Sequence, residues 1–137
     1  MMKEKVARIW EWQEAEAQAL FEEARRVLAQ GGVLALPTET FYGLAVDPFQ
    51  DRALKRLFAL KARPSGKPAL LLVGSREMLS RVVRQVPETA GLLMERFWPG
   101  PLTLILPARP GLTPWLTGGT ATVGVRQPRQ AVSCRLI

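Results

Sequence analysis

Two short runs concentrate the groups able to do chemistry. Lys61-Ala-Arg-Pro-Ser-Gly-Lys-Pro68 crowds Lys61, Arg63 and Lys67 around two prolines and a glycine. Lys61 and Arg63 flank a single residue, so an extended loop would project both to the same side. Such a pair can grip a polyphosphate, arginine with its planar fork and lysine as a point charge. Cations at the end of a helix also answer its dipole, which accounts for Lys61 better than for Arg63 and Lys67. Pro37-Thr-Glu-Thr-Phe-Tyr-Gly-Leu44 brings hydroxyls, a carboxylate and a phenol to the end of an apolar run. Strand ends are where open α/β sheets hold ligands, and Thr38 and Tyr42 are the candidates there. The plainer alternative is a polar turn with Tyr42 half-buried.

Two further runs offer less chemistry and more direction. In Phe97-Trp-Pro-Gly-Pro-Leu-Thr103 a rigid turn aims the next strand and sets Thr103 at its start. Trp98 reads chiefly as core packing. Thr122-Val-Gly-Val-Arg126 is an apolar strand ending on an arginine, either a ligand clamp or a solvated end.

The elements that must position these groups follow from periodicity. Residues 14–30 repeat apolar positions at helical spacing (Leu20, Ala24, Val27, Leu28) and stop at Gly31-Gly32. Short strands are expected at 33–36 and 43–46, then a helix capped by Asp51 and ending near Lys61. Further expectations are a strand at 69–73, a helix opened by Ser75 and running through Val83, and another from Pro87 to about Trp98. Strands at 102–106 and 121–126 complete the set. Helices and strands alternate in one layered α/β domain, with no repeat and no linker.

Composition narrows the chemistry. With 137 residues, 47% hydrophobic and 23% charged, the chain can bury a core without staples, and its single Cys134 forms no internal disulfide. A reducing, cytoplasmic setting is expected, with no signal peptide in the mixed, charged N-terminus and no membrane span. The absence of histidine removes HExxH metal sites, Cys/His zinc clusters and Ser-His-Asp triads. Gly66-Lys67 is followed by Pro68, so there is no Walker loop, and no metal-ligating set stands out. Nineteen Lys+Arg against twelve Asp+Glu give a net charge of +7, which suits an anionic partner such as a nucleotide or RNA, or else reflects an arginine-rich solvated surface.

Taken in order, PTETFYGLA, KARPSGKP, FWPGPLT and VGVR resemble the Sua5/YrdC/YciO family across residues 33–126. The resemblance implies a YrdC/RibB-like α/β fold, a twisted open mixed sheet flanked by helices with a basic concave face. It implies L-threonylcarbamoyladenylate synthase activity, in which ATP, bicarbonate and L-threonine give threonylcarbamoyl-AMP and pyrophosphate, toward the t6A base of tRNA. Lys61 and Arg63 match the KxR pair that contacts the nucleotide phosphates and would be the catalytic cations. Thr38 and Tyr42 match positions lining the threonine and adenylate pocket, Thr103 lies at the cleft, and Arg126 closes the last strand. Lys67 joins the nucleotide-binding set, and Mg2+ would accompany ATP. Cations, Mg2+ and amides can stabilise an adenylation transition state without a histidine base.

Beyond Arg126 the family pattern is expected to stop. Relatives continue with a helix, another strand and an SxN motif that completes the nucleotide site, whereas this chain contains no asparagine. The single YrdC-like domain of residues 1–137 is thus expected to lack its C-terminal part after about 126, as a truncation, an altered frame or a short form. Impaired activity and self-association through an exposed sheet edge would follow. The alternative function is an RNA-binding, translation-associated module without turnover, using the same basic concavity for tRNA or double-stranded RNA.

Overall fold

The computed structural model describes residues 6–137. A 3-10 turn at Glu14–Glu16 leads into α1 (Ala17–Ala29), which buries Ala17 and Phe21. The helix stops in a two-bond Schellman motif: the Gly31 amide donates to the Leu28 carbonyl and the Gly32 amide to that of Val27. Gly31 takes the left-handed φ of 74° that this stop requires, and a Cβ on Gly32 would sit 2.5 Å from Val27 Cγ1.

Strands β1 (Leu34–Leu36) and β2 (Gly43–Ala45) pair antiparallel as a separate two-stranded ribbon. Helix α2 (Asp51–Leu60) buries Ala53, Leu54, Leu57 and Phe58, one face at helical spacing. Its N-cap is Gln50 rather than Asp51, which is the first helical residue and places a carboxylate in the positive first turn. Strand β3 (Leu71–Leu72) follows, then a 3-10 segment at Arg76–Arg81 where the sequence predicts an α-helix. The Ser75 side chain makes no capping bond, and Val82 and Val83 leave the turn to enter the core, so helical spacing is abandoned before it is useful.

Helix α3 (Glu88–Phe97) buries Ala90 and Met94 and ends at Trp98. Trp98 is core, as expected, with its indole N–H donating to the Leu102 carbonyl at 2.7 Å. Strands β4 (Leu104–Pro107) and β5 (Thr122–Arg126) are antiparallel, and β3 joins the far side of β5 in parallel, giving the mixed order β3-β5-β4. Two short helices, α4 (Pro114–Thr117) and α5 (Ala131–Leu136), lie where periodicity has too few residues to register them. The fold is α/β with helices about a mixed sheet, but the strands form two sheets rather than one. Among the described residues no helix is long and apolar enough to cross a membrane.

The core lies on one face of the three-stranded sheet. Alternation sends Leu71, Val73, Leu104, Leu106, Val123 and Val125 inward, each no more than 9% exposed. Leu54, Met94 and Leu116 from the helices close over them.

Candidate functional site

The opposite face of that sheet is open. Thr103 and Ile105, Thr122, Gly124 and Arg126, and Leu70 and Leu72 share it by the same alternation and by the register Ile105↔Gly124 and Leu72↔Arg126. Ile105 is 67% exposed there and Leu70 42%, so an apolar floor faces solvent at the centre of the sheet. Gly124 keeps that floor flat. A Cβ built on it meets Ile105 Cδ1, Thr103 Cγ2 and Leu70 Cδ1 at ordinary contact distances of 3.4–3.7 Å, so nothing in the protein itself demands a glycine.

Three of the four sequence runs converge at the C-terminal end of β5. Arg126 is neither a solvated end nor a free clamp. Its guanidinium forms an ion pair with Glu39, also reaches the Thr40 hydroxyl at 3.3 Å, and is largely covered. The second carboxylate oxygen of Glu39 accepts from the Arg129 amide at 2.9 Å. Burial acts to raise the Glu39 pKa, but hydrogen bonds from its own amide, the Arg129 amide and Arg126, with the Arg126 charge, outweigh it and hold the carboxyl below its ordinary range. Arg129 in turn directs its side chain at the Pro99 carbonyl, and the Gly100 amide donates to the Gln127 carbonyl at 2.9 Å, tying the Pro-Gly-Pro turn to the same point. The Ser133 hydroxyl, fully buried in α5, donates to the Pro37 carbonyl. One N–H of Arg126, at Nε, is buried beside this cluster without a protein acceptor.

Thr38 serves its own turn. Its hydroxyl donates to the Phe41 carbonyl at 2.6 Å and accepts from the Thr40 amide. Tyr42 is 76% exposed, not half-buried, because the turn throws both Phe41 and Tyr42 outward to solvent.

The cationic run departs from the extended loop expected of it. Helix α2 ends in a second Schellman motif, the Ala62 amide donating to Ala59 and the Arg63 amide to Phe58. Ala62 occupies the left-handed position, at φ 47°. Lys61 and Arg63 are therefore separated by a chain reversal and do not share a side. Arg63 turns back, donating to the carbonyls of Lys67 and Pro68 at 2.8 and 2.7 Å with its guanidinium over the Phe58 ring. It shapes the loop and leaves Lys61 and Lys67 as the exposed cations. The loop packs on Gly118 after α4, and the Ala69 amide donates to the Trp115 carbonyl as the chain enters β3 from the amino end of β5. Replacing Ala62 with glycine relieves the left-handed alanine and is expected to stabilise the fold by about 1 kcal/mol, measured as a shift in the denaturant midpoint.

The structure thus brings Arg126 to the Thr38 turn and Thr103 to Gly124, while Lys61 and Lys67 stand on the loop feeding the neighbouring strand. Glu39, Gly124 and Arg129 escaped selection in the sequence, although Thr-x-Gly-x-Arg alternation marks Gly124 as facing out with Arg126. Among the described residues no group of three or more acidic or thiol side chains could hold a metal. Glu39, already engaged by Arg126 and Arg129, does not fit a resident cation.

Comparison with known proteins places this geometry. The Sua5/YciO/YrdC family model, described as telomere recombination, matches residues 26–137. Threonylcarbamoyl-AMP synthase of Pyrococcus abyssi is 41% identical over 110 residues, 80% of this chain and 32% of the relative. That of Thiobacillus denitrificans is 46% identical over 99 residues, 72% of this chain and 53% of the relative. The chain therefore spans a third to about half the length of these relatives. The crystal structure of P. abyssi Sua5 complexed with L-threonine superposes with a TM-score of 0.81 at 39% identity, covering 85% of this chain and 34% of that one. E. coli YciO superposes with a TM-score of 0.77 at 27% identity, covering 87% of this chain and 58% of that one.

Proposed function

The chain belongs to the Sua5/YciO/YrdC family, and from that premise we propose that its open sheet face is the adenylate site of a threonylcarbamoyl-AMP synthase. The supporting observation is the convergence of the Thr38, Pro99 and Arg126 segments at the carboxyl end of β5, with the exposed cations of the Lys61–Lys67 loop at its amino end, where the chain enters the neighbouring β3. The names of the relatives, and the L-threonine complex of one of them, support the substrate class.

The reaction divides into two bond-forming steps. The threonine amine condenses with bicarbonate to a carbamate, releasing water. A carbamate oxygen then attacks the α-phosphorus of ATP, and the bond to the β-phosphate oxygen breaks to release pyrophosphate. Negative charge accumulates on the phosphoryl oxygens and the leaving group, so the protein's task is alignment and neutralisation. Lys61 and Lys67 supply mobile positive charge, Arg63 holds their loop, and Arg126 fixes the Thr38 turn against the floor. The flat surface over Gly124, between Ile105 and Leu70, suits a planar base laid on apolar side chains. Mg2+ bound to the ATP phosphates would share the neutralisation. Thr103 lies beside Gly124 at the floor, and Tyr42 stands exposed on the Thr38 turn; these are the residues proposed to contact the threonyl and nucleoside parts. The product would serve t6A formation on tRNA in the cytoplasm.

Titration with Mg·ATP by calorimetry, paired with a pyrophosphate assay, tests this reading. Saturable binding with pyrophosphate release that needs both L-threonine and bicarbonate is the expected result; ATP binding without such release would overturn the synthase assignment. Lys61→Ala and Lys67→Ala should each weaken Mg·ATP by about tenfold and flatten its salt dependence, because each removes one solvent-facing charge from the phosphate path. The net charge of +7 also favours a second reading, tRNA or double-stranded RNA bound without turnover. Binding in that case would fall steeply with salt and persist when ATP turnover is absent.

A further inference from the structure

Charge is segregated along this chain. Of its twelve carboxylates nine lie in residues 1–51, and of its nineteen cations fourteen lie in residues 52–137. Residues 52–76 hold seven cations and no carboxylate. Lys61, Arg63 and Lys67 of that stretch form the loop already described. Arg52, Lys55 and Arg56 come earlier, on helix α2. At 3.6 residues per turn, positions 52, 55, 56 and 59 make one stripe, opposite the buried Ala53, Leu54, Leu57 and Phe58. Arg52, Lys55, Arg56 and Ala59 are all exposed, and the three cations fall within about 6 Å of helix axis.

Among the described residues the ion pairs engage Arg8, Arg26, Arg126 and Arg135, and none of these three cations. Asp51, one turn before Lys55, is not paired with it. Two of the three are nevertheless held in place. Arg56 donates to the Gly31 carbonyl at 3.0 Å, and Arg52 donates to the Gln50 side-chain oxygen at 3.3 Å while lying against Gly31. These partners are neutral, so they fix the guanidiniums without cancelling their charge. Arg56 also answers the carbonyl end of α1, a structural duty that Lys55 does not share. Helix α2 covers the core side of the three-stranded sheet through Leu54, so its outer stripe points away from the open face.

We propose that the outer face of α2, through Arg52, Lys55 and Arg56, is a docking ridge for the phosphate backbone of RNA. The inference rests on the RNA-binding reading above and moves that contact from the open sheet face to the far side of the molecule. A phosphate backbone presents charge at regular intervals and is held by cations without apolar contact. A membrane or an acidic protein surface asks also for apolar side chains to bury, and the stripe supplies only Ala59, with Leu60 at its edge. Guanidiniums already seated against Gly31 lose little freedom when they meet phosphate. RNA held there leaves the open face clear for a nucleotide.

The test titrates the whole chain into a labelled RNA duplex of about 16 base pairs at several salt concentrations, read by fluorescence anisotropy. The triple variant Arg52→Gln, Lys55→Gln, Arg56→Gln is expected to weaken RNA at least about tenfold and to reduce the salt slope by about two to three. Lys55→Glu alone should weaken it about threefold or more while keeping the parent circular dichroism, which guards against a folding defect from the lost Arg56 contact. A control variant, Arg76→Gln, Arg84→Gln, Arg96→Gln, removes the same charge from exposed positions elsewhere and should stay within about twofold of the parent. Equal weakening by the control would overturn the proposal, because net charge alone would then set the affinity. A parent that binds RNA as tightly as its ridge variants would overturn the ridge and leave the RNA reading standing, whereas a parent that binds no RNA overturns both. Binding to phosphatidylserine vesicles in place of RNA, lost in the ridge variants, would assign the face to a membrane and overturn the proposal as well.

Discussion

Replacing Gly124 with valine is expected to leave the melting temperature of the protein unchanged or slightly raised while weakening Mg·ATP by about 30-fold or more, roughly 2 kcal/mol. The two halves of this expectation have separate origins. A glycine inside a strand costs conformational entropy, and the Cβ of a branched side chain there meets Ile105, Thr103 and Leu70 at ordinary distances, so folding gains a little. The same methyl groups stand up from the floor on which a planar base would lie. A thermal melt and a calorimetric titration on one sample separate the effects. A valine variant that binds ATP as tightly as the parent would remove the open sheet face from the site and leave only the cationic loop.

The second large effect concerns Glu39. Glu39→Ala should destabilise the protein by about 2 kcal/mol, because it strands the covered Arg126 guanidinium and the Arg129 amide at once. The pH dependence carries the sign. The Glu39 pKa is lowered in the folded state from an ordinary value of 4.5, so the unfolded chain binds the proton first. The stabilisation is fully present above about pH 4.5 and is lost as pH falls through the lower, folded value. Stability of the parent should therefore decline in that acid window, and the Glu39→Gln variant should decline less there. Parallel acid curves for parent and variant, from urea titrations at successive pH values, would show that Arg126 finds its stabilisation elsewhere.

Legibility in the sequence followed the range of the forces involved. Helices α1, α2 and α3 announce themselves by apolar spacing and end at residues the sequence marks, because those signals act within one or two turns. Strand β5 shows as a β-branched run, and its alternation already separates Val123 and Val125 from Thr122, Gly124 and Arg126. Strand partnership was not legible: nothing local tells β1 and β2 to form their own ribbon or β3 to join β5. The Glu39–Arg126 pair, 87 residues apart, is a product of that partnership and was invisible for the same reason. The cationic loop was misjudged by a single residue, since the left-handed stop usually written as glycine is here Ala62. The four ordered runs nevertheless marked the family, because the site is built from segment ends and those ends carry its unusual residues.

The division into two sheets sets how the molecule breathes. The β4–β5 ladder spans four register pairs over fully buried valines, and its amides should exchange with solvent only in global unfolding. The β1–β2 ribbon has three pairs, mostly at the surface, and is joined to the rest of the site through the Pro37–Ser133 and Glu39–Arg126 contacts. It can therefore open as a unit while the larger sheet stays closed, carrying the Thr38 turn with it. A substrate that bridges the turn and the sheet would close this hinge, and deuterium uptake at Leu44 and Ala45 would slow on binding without any new contact to those residues.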